Sequence, residues 1–309
     1  MVTHKNQSSD IKAFGLVLWQ LLFTSVAVYL SLYGSGIVWF LGQILMAINL
    51  FQWFVLHHDL VHDSLFKTKI LNSVFGHLSS IPTLMPYHSF KLSHHQHHIW
   101  TGWRDKDPTS PQMYLKQPPA WAIKVVNFCW KFWIPLMAPL FVLQNFWGLR
   151  RLFRSFPKAK DKRNVLFSML IIIVAYTSLF ILLPAIMLKV WLLAFFMFLI
   201  IADLVLMSQH THIDGHFANE NNVKAFRYSD QTKYTRTIIY PKFVSRFIFY
   251  HFDKHAVHHQ YPGVPTYYLG NFPAPQELNI QWWEWIKRAK SLSAYDLIYS
   301  SPKECGVKL

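Results

Sequence analysis

Two long apolar stretches near the N-terminus constrain this chain more than anything else in it. Ala13 to Tyr33 and Ile37 to Leu56 contain no Lys, Arg, Asp or Glu. Each has the roughly 20 residues that carry a helix across a hydrocarbon core about 30 Å thick. Gly34-Ser35-Gly36 between them leaves room only for a tight turn, so the pair reads as a helical hairpin. A second pair runs from Val165 to Leu183 and from Ala185 to Met207, broken at Pro184. Inside lipid the backbone must satisfy its own hydrogen bonds, which makes these spans helices. The expected fold is therefore all-α: an integral membrane four-helix bundle of two hairpins, with spans 13–33, 37–56, 165–183 and 185–207. One domain is expected to cover residues 1–309.

The basic residues orient it. Thirty Lys and Arg stand against fifteen Asp and Glu, a formal charge of +15. None of the thirty lies between Ala13 and Phe66, and only Lys189 lies between Asn164 and Val223. By the positive-inside rule, residues 57–163, residues 208–309 and both termini face the cytosol. The membrane is then a bacterial inner membrane or the endoplasmic reticulum. The charge is not gathered into an aromatic-interleaved face, so a nucleic acid partner is not expected; membrane lipid suits it better. No small-residue cleavage pattern follows the first apolar run, which reads as a retained span. Trp121 to Leu149 mixes aromatic residues with Lys124, Lys131, Pro135 and Pro139. It is expected to form interfacial helices lying on the membrane. Cys129 and Cys305 are too few and too far apart for a disulfide framework or a thiolate metal site.

Histidine carries the chemistry. Of seventeen, most fall in three short clusters: His57-His58-Asp59-Leu60-Val61-His62, His94-His95-Gln96-His97-His98 and His255-Ala256-Val257-His258-His259. On a helix, His58 and His62 share a face, and positions i, i+3 and i+4 fall within an arc of about 100°. A lone histidine at such a position is usually structural, but three clusters at ligand spacing on one predicted membrane face point to metal. Imidazole suits zinc, copper, iron and nickel alike. Eight such ligands exceed one tetrahedral zinc and suit two ions with four or five nitrogens each. A zinc-protease helix needs glutamate where Asp59 stands. A histidine-rich metal transporter would spread ligands along the bilayer path, and these spans hold none between Ala13 and Leu56 or between Val165 and Met207.

The three boxes, His58 to His62, His94-x-x-His97-His98 and His255-x-x-His258-His259, resemble those of the membrane fatty acid desaturases. Ser89-Phe90-Lys91 before the second box, Asp107-Pro108 after it, and Pro262-Gly-Val-Pro265 with Tyr267, Tyr268 and Leu269 after the third extend the resemblance. It implies a non-haem centre of two iron ions held by these eight histidines at the cytosolic ends of four spans, in a histidine-rich cap, with O2 as co-substrate. Gln209-His210-Thr211-His212 is similar to a segment that supplies a ninth ligand in this superfamily; His212 matches by position, with His210 second. The implied reaction is desaturation of a fatty acyl lipid or acyl thioester, with lipid hydroxylation or carotenoid ketolation the nearest alternative. The chain shows no nucleotide-binding glycine pattern and no His-Pro-Gly-Gly haem motif. Electrons are thus expected from an external donor, a ferredoxin or a haem carrier with its reductase.

Carboxylates near ligating histidines commonly accept the second ring N–H. Asp59, Asp105 and Asp107 are candidates, as is His210 if it is not itself a ligand. Asp203 lies inside the fourth apolar stretch, seven residues before His210. An ionisable residue there is expected to face the iron site or the substrate channel. Asn49, Gln52 and Trp53 form a polar strip leading to the first box and are expected to line that channel.

Overall fold

A computed structural model describes residues 6–113 and 118–309 of the chain. It is mostly helical, and four helices are long and apolar enough to cross a membrane: Asp10–Tyr33, Gly36–Val61, Ala159–Leu182 and Pro184–Gln209. The second outlasts its apolar stretch, so the first histidine box forms its last turns instead of following it. The third begins early, and Lys160, Lys162 and Arg163 ride on its first turns. The chain divides into two compact units.

The first unit holds the chain up to Lys91, Val142–Ile201 and Gly263–Thr266. Gly36 takes a positive φ of 52° at the hairpin turn, and a Cβ on Gly42 would lie 2.7 Å from the backbone N of Ser31. Glycine at these two places lets the helices turn and then approach closely. Polar side chains join the hairpin: Thr24 donates to Asn49 Oδ1 at 2.9 Å, Gln20 donates to the Asn49 carbonyl at 3.0 Å, and Trp53 Nε1 donates to Thr24 at 3.1 Å. The strip expected to line a channel is thus largely spent on helix pairing, with Gln52 also buried.

The fourth span contains a π-helical stretch at Met187–Leu192. Its displaced carbonyls need new donors. Gln43 Nε2 donates to the Lys189 carbonyl at 3.2 Å and Trp39 Nε1 donates to it at 3.0 Å, while Ala194 N donates back to Gln43 Oε1. Lys189 Nζ caps the first span by donating to the Leu32 carbonyl at 2.7 Å. Large apolar side chains such as Leu18, Trp19, Ile181 and Leu182 stay exposed on the outer faces. Lipid tails are as apolar as leucine, so packing and these polar contacts hold the helices together, with no drive from water.

The second unit holds Leu92–Phe141, Ala202–Pro262 and Tyr267–Leu309. Trp130, Met137, Met207, Ile238, Ile280, Trp285 and Leu297 form its core. Each large apolar side chain buried from water contributes on the order of 1.5–3 kcal/mol here. Two three-residue strands, Thr237–Ile239 and Asn279–Gln281, pair in parallel with Ile238 opposite Ile280. They are a small addition to the expected helical fold; segments this short carry no alternation that a sequence can reveal. Trp121 to Leu149 breaks into Ala120–Lys131, Met137–Val142 and a π-turn at Leu143–Trp147, none of the length a crossing needs.

Candidate metal centre

The second box rides on the helix Tyr87–Trp100, and the third makes up the short helix His255–Gln260. Helical spacing sorts their side chains. His94, His97 and His98 are buried while His95 faces out, and His255, His258 and His259 are all at most 3% exposed. In the second unit these rings gather into two sets. His98 Nε2 lies 3.1 Å from His94 Nε2 and 3.0 Å from His258 Nε2. In the other set His210 Nε2 lies 2.8 Å from His255 Nε2 and 3.2 Å from His97 Nε2, and His259 Nε2 lies 3.2 Å from His255 Nε2. The ligand atoms of His97, His210, His255 and His259 all fall within 4.8 Å of one another. In the first unit His58 and His62 share the inner face of their helix end, ring centroids 4.9 Å apart.

Outward partners fix three of the tautomers, so the His97–His210 contact sets one bare nitrogen against another and is not a hydrogen bond. His97 Nδ1 donates to Asp107 Oδ2 at 2.7 Å, and His210 Nδ1 donates to the Tyr234 carbonyl at 3.3 Å. Gln231 Nε2 donates to the His98 carbonyl at 2.6 Å, which turns its Oε1 toward His259 Nδ1 at 2.9 Å. The Nδ1 protons of His97, His210 and His259 are therefore used outward, and bare Nε2 lone pairs face each other inward. Burial pushes His210 down to about 3, reinforced by His97 beside it. Burial, then His255, His210 and His97, hold His259 well below its ordinary range. Neutral rings with converging lone pairs repel unless a cation sits among them. With metal–nitrogen bonds of about 2.1 Å, ligands 90° to 109° apart have nitrogens about 3.0–3.4 Å from each other. The spacings of His210 to His97 and of His259 to His255, both 3.2 Å, fall in that range, and that of His210 to His255, 2.8 Å, lies just below it.

The remaining candidates sort clearly. Asp107 is buried; burial would raise its carboxyl, but His97 and hydrogen bonds from His97 and Thr109 outweigh that and hold it below the usual range. It is the carboxylate that orients the His97 ring. His212 is not brought to either set: its Nε2 meets the Val307 carbonyl at 2.8 Å, and the second choice, His210, occupies the position instead. The helix ends at Gln209, so His210 still points inward, while two residues further the chain has turned away with φ of 53° at His212. Asp203 does not face the histidines either. Its carboxylate accepts the backbone N–H groups of Leu136, Met137 and Ala138 at 3.0, 3.2 and 2.6 Å. Those amides open a helix and have no partners within it, which a buried carboxylate corrects. Asp105 likewise accepts from the amides of Ala218 and Asn219, both at 2.9 Å. Asp59 lies 3.9 Å from His58 Nδ1, too far for a hydrogen bond, and accepts instead from Thr266 N and Thr266 Oγ1 at 2.7 and 2.8 Å.

Two residues that sequence reasoning passed over matter here. Gln231, fully buried, ties the second box to the third. Arg236, 1% exposed, donates to the carbonyls of Ser208, Thr211 and His212 and closes the end of the fourth span beside His210. Neither sits in a histidine motif, and only a buried cation or amide in a polar segment hints at them.

Four helices of membrane-crossing length thus accompany buried imidazoles whose nitrogens could hold metal ions. Residues 13–273 match the model of the fatty acid desaturase family, and the chain belongs to that family. It is similar to an sn-1 acyl-lipid omega-3 desaturase (ferredoxin) of Synechocystis sp., 36% identical over 129 residues, 40% of this chain and 33% of the relative. A Nostoc sp. protein of the same description is 44% identical over 69 residues, 21% of this chain and 19% of its own. An sn-1 oleoyl-lipid 12-desaturase of Picosynechococcus sp. is 24% identical over an alignment covering 94% of this chain and 84% of the relative. The chain thus spans a third or less of the first two relatives it matches.

Proposed function

We propose that the chain is an O2-dependent fatty acyl desaturase that holds two iron ions through its histidine boxes. His97, His210, His255 and His259 would hold one ion, and His94, His98 and His258 would ligate the other; the resemblance to the family adds His58 and His62 as ligands. The observation that carries this reading is the convergence of bare Nε2 atoms whose rings spend their Nδ1 protons outward. Iron with O2 supplies the oxidising power that an unactivated alkyl C–H bond demands, which acid–base side chains lack. The overall change takes two hydrogens from adjacent methylenes: alkyl chain, O2, two electrons and two protons give the alkene and two waters.

The protein's own part is to place and tune the ligands. Asp107, Gln231 and the Tyr234 carbonyl lock three rings in the ligating tautomer. Asp107 adds negative charge behind His97, and Arg236 adds fixed positive charge near His210. The relatives' descriptions favour a glycerolipid acyl chain as substrate over a thioester, and a ferredoxin as donor over a haem carrier. The charge asymmetry favours a cytosolic position for the histidines and both termini.

The test is the lipid profile of cells expressing the protein or its His259→Ala variant, with iron measured on the purified protein. New double bonds and about two irons with the intact protein only would support the reading. Hydroxylated lipids with the same iron content would move the reaction to its neighbour, and zinc with no lipid change would refute both.

A further inference from the structure

The first unit carries positive charge that its own acids do not neutralise. The short helix Leu149–Ser155 holds Arg150, Arg151 and Arg154, and Lys158, Lys160, Lys162 and Arg163 follow at the start of the third span. Asp161 is the one acid between Asp107 and Asp203 in the sequence. The other acids of this unit are engaged elsewhere: Asp10 accepts from Thr68, Asp59 from Thr266, and Asp63 from Lys91 at 2.6 Å. The fold also brings the two basic runs together. Lys162 Nζ lies 5.6 Å from the centre of the Phe153 ring, so the short helix meets the first turn of the span. Arg150, Arg154, Lys158, Lys160 and Arg163 are all exposed.

A run of solvated cations is ordinary on a protein surface, but such a surface does not usually pass straight into exposed hydrocarbon. Here it does. Arg163 shares a stripe of the span with Leu166, Phe167 and Leu170, spaced as i, i+3, i+4 and i+7, and these three are 47%, 54% and 55% exposed. At about 1.5 Å per residue, Lys160, Lys162 and Arg163 stand about 3–8 Å outside Val165, where the apolar part of the helix begins. The headgroup layer adds about 5–8 Å on each side of the hydrocarbon core. The cations therefore lie at the depth of lipid phosphates, with acyl-chain surface directly beneath them. Lys158 takes the N-cap position, where its side chain cannot accept the first free amides of the helix. Those N–H groups and the positive end of the helix dipole add to the attraction for a phosphate. An acidic soluble protein would match the charge and leave the apolar stripe uncovered. A diacyl lipid with an anionic headgroup matches both.

We propose that the junction of Leu149–Ser155 with the third span is a binding site for an anionic phospholipid. The arginine and lysine side chains take the phosphate, and Leu166, Phe167 and Leu170 lie along an acyl chain. Guanidinium groups grip a phosphodiester through paired N–H donors, and ammonium groups add point charge. A zwitterionic lipid offers the same phosphate but brings its own cation, which the patch repels. The site therefore selects headgroups of net negative charge, phosphatidylglycerol among them. It owes nothing to the histidines or to the reaction they support.

The test is native mass spectrometry of the full chain, released from detergent micelles containing equimolar dioleoyl phosphatidylglycerol and dioleoyl phosphatidylcholine. Wild type is expected to retain phosphatidylglycerol about tenfold over phosphatidylcholine, since each cation near a membrane surface is worth about fivefold in affinity for anionic lipid. Arg150→Gln with Arg154→Gln, Lys158→Gln and Arg163→Gln is expected to bring that ratio to about one. Removal of four exposed cations elsewhere, Lys224→Gln with Arg227→Gln, Lys233→Gln and Lys242→Gln, is expected to leave it at the wild-type value. In wild type the ratio should fall as salt rises, and soluble glycerol phosphate should not displace the lipid. A wild-type ratio near one, or a wild-type ratio in the first variant, overturns the proposal. An equal fall in both variants reduces the patch to unselective charge and overturns it too. Displacement by glycerol phosphate does the same, because the site would then take a free phosphate without its acyl chain.

Discussion

Gln231→Leu isolates how the cradle holds its rings. The residue is fully buried, and its amide spans the His98 carbonyl at 2.6 Å and His259 Nδ1 at 2.9 Å. Leucine keeps the bulk but leaves one buried acceptor and one buried N–H without partners, each costing about 1–3 kcal/mol. It also frees the His259 ring to rotate or take the other tautomer, and losing such an orienting partner weakens metal binding about 10- to 100-fold. That range corresponds to about 1.4–2.7 kcal/mol on affinity. Gln231→Glu separates the two effects, since a carboxylate still accepts from His259 Nδ1 while it gives up the donation to His98. The assay is chelator competition for iron on purified protein, followed by elemental analysis. The expected order of affinity is wild type, then glutamate, then leucine. A leucine variant within twofold of wild type would refute the view that Gln231 fixes the ligating tautomer.

Other substitutions test the site's borders. His210→Ala should bind about one iron fewer per chain, whereas His212→Ala should keep full stoichiometry by elemental analysis; the reverse result would restore His212 as the ligand. Asp203→Ala should lower thermal stability by about 1–3 kcal/mol through loss of the three amide contacts, with iron per folded molecule unchanged. Loss of iron without loss of stability would return Asp203 to the site. His88, outside the spans, is pushed down to about 4 by burial, with His77 adding to the effect. Its folded value lies below the unfolded 6.5, so the unfolded chain binds more protons between them and stability falls as pH drops from about 6.5 toward 4. His88→Gln should show a shallower loss of melting temperature over that window, and an identical slope would refute it.

Much of this was legible in the sequence because it depends on local periodicity. Hydrocarbon thickness sets the length of Asp10–Tyr33 and Gly36–Val61, so a run of apolar residues declares a span. The 3.6-residue turn puts His94, His97 and His98 on one helix face, so ligand spacing declares a box. Asp107 beside His97 follows from the same proximity, ten residues on through a short turn. What the sequence does not encode locally is direction. Asp59, Asp105 and Asp203 sit as close to histidines in sequence as Asp107 does, or nearly so, yet each turns to backbone amides left unpaired by a turn or helix start. A buried carboxylate goes where donors are orphaned, and orphans are created by how distant segments meet.

The choice between His210 and His212 belongs to the same class, since it hinges on where the fourth span stops, at Gln209. So does Gln231, which lies far from every box in sequence and between two of them in space. The sequence by itself determined the four apolar helices and the histidine boxes with their spacing, because each is a property of one segment alone. Only the tertiary structure decided which polar groups orient the imidazoles and which merely cap helices, because satisfying a buried donor or acceptor is a property of two segments brought together.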